Sequence, residues 1–302
     1  MLILDAGCPV RVLRFAPDGC LLAGSGYPNG RHEPPREPAF IDVWTLPAGT
    51  RVRVPLADGS WKLPEELAVT PDGAEAWAAV NGRLVNFNVE TGAVRLDTHL
   101  LSFHAIALSP DGDRAVLAHV EYGNQTLHGA VGVSLRWERK LEAWNGRLAG
   151  FLPDGDRFVM AREKRVDIHS FVATGELVES LRYRIAGVSQ PQLSPDGRYL
   201  ATVGYGNMYV CDLSSPGAFG KIDGGSNFGD FRSFAFHPAG RSLAVIHGGP
   251  TLVKVYDLAT LKLKHKLNWK LGALLSVAFS PDGTLAAAGS ADGRIVVWDV
   301  DE

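Results

Sequence analysis

The sequence predicts an all-β fold, with seven four-stranded antiparallel blades set radially in one ring. Three observations predict it. A Pro-Asp-Gly phrase framed by apolar stretches recurs at near-even spacing along the 302 residues. The residues before each phrase alternate with the two-residue period of a strand. Glycine and proline are abundant, at 34 and 18, as a chain with many tight reversals requires.

The phrase occurs at Pro17-Asp18-Gly19, Pro71-Asp72-Gly73, Pro110-Asp111-Gly112, Pro153-Asp154-Gly155, Pro195-Asp196-Gly197 and Pro281-Asp282-Gly283, with the variant Pro238-Ala239-Gly240 in the remaining slot. Successive prolines are 54, 39, 43, 42, 43 and 43 residues apart. Proline fixes φ, aspartate bonds nearby backbone and glycine supplies a positive φ, so each phrase is a reversal between two strands. Before it, bulky residues stand at the second and fourth positions, as in Leu13 and Phe15 or Val277 and Phe279. The third position is often small, as at Ala68, Ala107, Gly150, Ala235 and Ala278. That pattern suits the innermost strand of a crowded radial arrangement. A second strand follows each phrase, for example Tyr199 to Val203. Next come a tight turn such as Asn81-Gly82, Gly206-Asn207 or Asp292-Gly293, and a third strand. Third strands end in pairs such as Val43-Trp44, Arg136-Trp137, Tyr256-Asp257 and Trp298-Asp299. With a fourth segment, each repeat is one blade of a β-propeller.

The repeat resembles that of the WD-repeat (WD40) family over the whole chain. Ser276–Asp299, ending in Trp298-Asp299, matches best, whereas Cys211-Asp212 loses the aromatic. The family's buried hydrogen-bonded tetrad is incomplete. Asp292 and Trp298 fill two of its places, Ala288 stands in its Ser/Thr slot, and of the histidines only His99 falls in a His slot. Blade rigidity is therefore expected to rest on packing. The resemblance implies that residues 1–6 supply the outer strand of blade 7 and close the ring. It implies one domain over 1–302, with insertions at 24–39 and 119–130 projecting from one face.

Composition narrows the function. Charged residues make up 21% and the net charge is −3, which gives no overall pull toward nucleic acid or an anionic membrane. Cys8, Cys20 and Cys211 form neither an even disulfide set nor a zinc spacing, which fits a reducing compartment. No apolar run is long enough to span a bilayer. MLILDAGC lacks the basic start of a signal peptide, so a cytoplasmic location is expected. The segment Leu261–Lys270 alternates lysines with leucines and reads as a half-buried outer strand of blade 6, its charges guarding an edge.

No phosphate loop, nucleophile elbow or H-E-x-x-H stretch occurs, so no catalytic residue, metal or cofactor is assigned. The residue six before each proline is expected at the channel mouth, reading Arg11, Glu65, His104, Arg147, Ser189, Arg232 and Leu275 around the ring. Trp61, Tyr205, Phe228 and Trp269 are expected nearby. An Arg and aromatic rim suits a partner peptide or an acidic group. The expected function is a monomeric, non-enzymatic scaffold that binds other proteins through this face. The alternative is a small-molecule or lactonase-like hydrolytic site at the same mouth.

Overall fold

The structure is a computed structural model that describes residues 1–25, 39–56, 64–80, 82–121, 124–131, 134–141, 146–224, 231–247 and 251–301. Its strands form seven blades in chain order, named from the channel outward. Blade 1 is Val10–Phe15, Leu21–Ser25, Phe40–Thr45 and Thr50–Pro55. Blade 2 begins with Pro64–Val69, Glu75–Val80 and Gly82–Asn88. The long strand Val94–Leu108 completes blade 2 and then becomes the innermost strand of blade 3, so the two blades form one seven-stranded sheet. Blade 3 continues with Arg114–Glu121, Asn124–Val131 and Ser134–Leu141. Blade 4 is Gly146–Phe151, Arg157–Arg162, Arg165–Ser170 and Glu176–Arg182. Blade 5 is Ser189–Leu193, Tyr199–Gly204, Asn207–Asp212 and Phe219–Asp223. Blade 6 is Ser233–Phe236, Ser242–Ile246, Val253–Asp257 and Leu263–Leu267. Blade 7 is Leu274–Phe279, Leu285–Ser290 and Arg294–Asp299, with Leu2–Asp5 as its outer strand. Leu2 pairs with Val297 and Asp5 with Arg294, closing the ring as the sequence predicts.

The repeated phrase works as its chemistry dictates. All seven glycines have positive φ, from 65° at Gly240 to 86° at Gly19. Each aspartate is spent inside its own turn. Asp282 accepts from the Ser280 hydroxyl at 2.6 Å and from the Thr284 amide at 3.0 Å. In the variant turn, His237 Nδ1 accepts from the Ala239 amide at 3.0 Å and replaces the missing carboxylate. The turns also touch one another around the ring. A Cβ added at Gly112 would lie 2.6 Å from Pro71 Cδ, and one at Gly197 would lie 2.5 Å from Pro153 Cδ.

Packing between blades supplies the core. Seven apolar clusters are present among the described residues, one at each blade–blade interface. The interface between blades 1 and 2 buries Ile41, Leu67, Phe87 and ten or so further apolar residues. That between blades 2 and 3 buries only Trp77, Leu84, Ile106 and Leu117, beside a cavity of about 400 Å³. The tetrad positions agree with a packing-based ring. Asp292 is held by Ser290 and Arg294 within its own turn, and Trp298 packs at a tilt against Trp269, ring centroids 4.5 Å apart.

Four local expectations are corrected. Residues 119–130 do not project as an inserted loop; Asn124–Val131 is the third strand of blade 3, paired in register from Arg114↔Val131 to Glu121↔Asn124. Both strands of that hairpin are simply longer. Arg136-Trp137 therefore lies in the outer strand, where the Trp137 indole fills the space that a Cβ on Gly129 would occupy, stacks on Phe158 and meets Phe171 edge-on. The blade 5 hairpin turns at Tyr205-Gly206, with φ of 44° and 77°, rather than at Gly206-Asn207. The lysine-rich strand is the blade 6 edge as expected, yet it is exposed on both faces; Leu263 is 41% exposed and Lys264 pairs with Asp257 at 3.0 Å. Residues 26–38 of the first insertion, and the side chain of His99, lie outside the described residues.

Candidate functional site

The innermost strands leave a channel along the ring axis, and two cavities meet inside it. The one at the mouth away from the Pro-Asp-Gly turns has a volume of about 250 Å³. Its wall includes Arg11 and Arg14 from blade 1, Glu66 from blade 2, Arg147 from blade 4, Gln190 and Gln192 from blade 5, Arg232 from blade 6 and Ser276 from blade 7. The other, about 510 Å³, runs to the turn side and is walled by apolar residues such as Phe15, Val69, Phe151, Phe236 and Phe279. Arg14, Glu66, Leu148, Pro191, Gln192 and Val277 border both cavities and mark the waist. There Arg14 Nη2 donates to Glu66 Oε1 at 3.1 Å, an ion pair between blades 1 and 2 that is about one-third exposed.

Backbone irregularity builds the mouth. The inner strand of blade 1 pairs Val10 with Ser25 and Val12 with Gly24, which leaves Arg11 as the extra residue of a bulge. Glu65 and Leu275 are the extra residues at the same place in blades 2 and 7. A bulge re-aims the side chain it carries, so the rim residue is turned out of the ladder. In blade 5 the disruption is larger. Ser189 pairs with Val203 and Gln192 with Ala201, while Gln190 sits at φ 50° and Pro191 has no amide hydrogen to donate. A left-handed glutamine is strained backbone held at the cavity wall.

Arg11, Arg147 and Arg232, three of the residues expected at the mouth, therefore line one cavity. Arg11 and Arg232 are exposed and Arg147 is half-buried. Tyr205, 63% exposed, tops the blade 5 hairpin on the same face, with Gly187 packed against its ring. Trp269 is half-buried against Trp298 and serves the interface between blades 6 and 7. The Glu65 and His104 side chains, and the whole of Trp61 and Phe228, lie outside the described residues. Gln190, Gln192 and Arg14 were not named, and in blade 2 the count falls on Glu65 rather than Glu66. Counting a fixed distance back from each proline ignores the bulges, which move the wall by a residue.

The chemistry of the wall is cationic and polar. Four guanidinium groups face one described carboxylate, Glu66, which Arg14 already holds. No group of three or more metal-ligating side chains occurs among the described residues. The turn aspartates are committed to their own loops. The Thr70 hydroxyl and the Ala74 amide hold Asp72 below the usual carboxylate range, and Ser109 does the same for Asp111. Burial pushes the Cys211 thiol up to about 12, so it is not a nucleophile near neutral pH.

A family profile described as WD domain, G-beta repeat, matches residues 261–299, the stretch ending in Trp298-Asp299. The β-propeller domain of Myceliophteria thermophila Cps50 (Swd1) superposes with a TM-score of 0.78 at 16% identity, covering 99% of this chain and 98% of that one. The chain is a seven-bladed β-propeller whose last repeat matches the WD40 repeat. Within this ring, the repeat that the profile matches is the one that pairs with the closing strand Leu2–Asp5. The likeness to the Swd1 domain concerns the fold. The inner-strand side chains set what this propeller presents at its mouth. No helix of the described residues is long and apolar enough to cross a membrane.

Proposed function

We propose that this WD40 propeller is a non-enzymatic scaffold that binds a segment of another protein at the channel mouth. One observation carries the reading: arginines from blades 1, 4 and 6, far apart in sequence, line a single cavity on the face topped by exposed Tyr205. Arginine and tyrosine are favoured anchors at interfaces because each offers a flat, semi-rigid surface with hydrogen-bonding capacity. The anchors stand on inner strands of a closed ring, so binding costs little ordering entropy on the scaffold side. The hydrolytic alternative draws less support, because the described wall offers one carboxylate and that one is ion-paired.

The test is affinity capture from source cells with quantitative mass spectrometry. Wild type is compared with an Arg11→Ala/Arg232→Ala/Tyr205→Ala variant and with a variant of the outer edge of blade 6, Lys262→Ala/Lys266→Ala. Loss of the same partners from the mouth variant alone is expected. Equal recovery by all three proteins overturns the reading.

A further inference from the structure

We propose that the channel mouth is an oxyanion subsite that takes the carboxylate side chains of an acidic protein segment, an inference that rests on the scaffold reading above. Arg11, Arg147 and Arg232 ring the opening, and Gln190 and Gln192 stand between the last two. Among the described residues, the Arg11 and Arg232 guanidiniums have no hydrogen-bond or ion-pair partner. The chain as a whole carries a formal charge of −3, so the positive mouth is a local feature against an acidic background. A narrow cleft lined by one sign of charge focuses its field and attracts the opposite charge. Arginine's planar fork matches a carboxylate with two parallel hydrogen bonds.

Size chooses among anions. The cationic part of the channel, about 250 Å³, falls below the roughly 300–1,000 Å³ of sites for drug-sized ligands, and the larger cavity beneath it is walled largely by apolar residues. It admits one or two side chains from above rather than a tracked polynucleotide backbone, which needs an extended basic groove with stacking aromatics. The floor shows the chemistry already in use. Glu66 is a carboxylate held by Arg14 in the same channel, and Gln192 borders it. Glu66 therefore acts as an internal competitor: its charge opposes an incoming carboxylate, and it occupies the deepest guanidinium.

That competition gives a test no misfolded variant can mimic. Fluorescein-labelled hexaglutamate is titrated with the full chain and followed by anisotropy at 50 and 200 mM salt. Wild type is expected to bind, and more weakly at the higher salt. Arg11→Gln/Arg147→Gln/Arg232→Gln is expected to lose at least thirtyfold in affinity while keeping a cooperative melting transition. Glu66→Gln is expected to bind about fivefold to tenfold more tightly, because it removes the opposing charge and releases Arg14. Hexalysine is expected not to bind. The proposal is overturned if hexaglutamate does not bind, if the triple variant binds as wild type does, or if Glu66→Gln fails to tighten binding. It is overturned equally if a labelled oligothymidine binds better than hexaglutamate. Partner capture that still depends on Arg11 and Arg232 when hexaglutamate fails leaves the scaffold reading standing; capture that ignores them removes that reading instead.

Discussion

Replacing Leu4 with alanine tests whether the closing strand holds the ring together. Leu4 is 5% exposed and sits in the cluster between blades 7 and 1 with Ala6, Trp44, Ile295 and Val297. The strand also ties directly to blade 1: Arg51 donates to the Asp5 carbonyl at 3.2 Å and Arg53 to the Ala6 carbonyl at 3.1 Å. A buried Leu→Ala change costs about 2–5 kcal/mol, and a site on the outer layer of a blade belongs at the lower end, about 2–3. Unfolding entropy of about 2.1 cal/mol/K per residue gives about 0.6 kcal/mol per degree for a chain of this length. Leu4→Ala should therefore lower Tm by about 3–5 °C in scanning calorimetry. Ile3 points the other way and is 50% exposed, so Ile3→Ala should change Tm by less than about 1 °C. Removing residues 1–6 should exceed Leu4→Ala, because it also unpairs the backbone of Arg294–Val297 and leaves an open sheet edge. A Leu4→Ala protein melting within 1 °C of wild type, or an Ile3→Ala loss of equal size, would refute ring closure as the source of stability.

Three further outcomes follow from the same packing. Gly19→Ala and Gly112→Ala both place alanine at positive φ, but a Cβ meets nothing within 4 Å at Gly19 and Pro71 Cδ at 2.6 Å at Gly112; chemical denaturation should show a loss of about 1–2 kcal/mol for the first and a clearly larger one for the second. Burial lowers the pKa of His128, His169 and His237, so each stays neutral when folded, and stability should be full above about pH 6.5 and decline as pH falls through the folded values; a Tm series from pH 7.5 to 5 should fall toward acid, less steeply in His169→Asn. Ala115→Val should raise Tm by filling part of the cavity of about 400 Å³ between blades 2 and 3, by roughly 1 kcal/mol in stability.

The ring was legible because its signals are local. Pro-Asp-Gly encodes its own turn chemistry, and even Pro238-Ala239-Gly240 was countable as a seventh slot, although only the structure shows His237 doing the work of the missing aspartate. The position of Arg11, Arg147 and Arg232 at one opening followed from counting back along strands. Glu66 did not, because the bulge at Glu65 shifts the ladder by one residue and no local motif announces it. Blade 3 was misread for a related reason. Gly129 and Ala130 look like a loop ending, yet Gly129 is there to admit the Trp137 indole from the next strand. Such a contact joins residues whose fit depends on the folded sheet.

Those bulges also separate stability from recognition. Arg11 stands outside the ladder and is exposed, whereas its neighbours Val10 and Leu13 are buried in the cluster between blades 7 and 1. Alternation in a regular strand would force each rim residue to pack against one blade or the other. An extra residue at the mouth escapes that duty, and so does the left-handed Gln190. The cost is local backbone strain of order 1–3 kcal/mol at such a residue, which a ring buried at all seven interfaces can carry. Substitutions at Arg11 and Arg232 should then alter binding with Tm held within about 1 °C, while Val10→Ala, one residue away, should lower Tm. Calorimetry on the two arginine variants beside Val10→Ala decides it, and a large thermal loss in either arginine variant would show that the rim is part of the core.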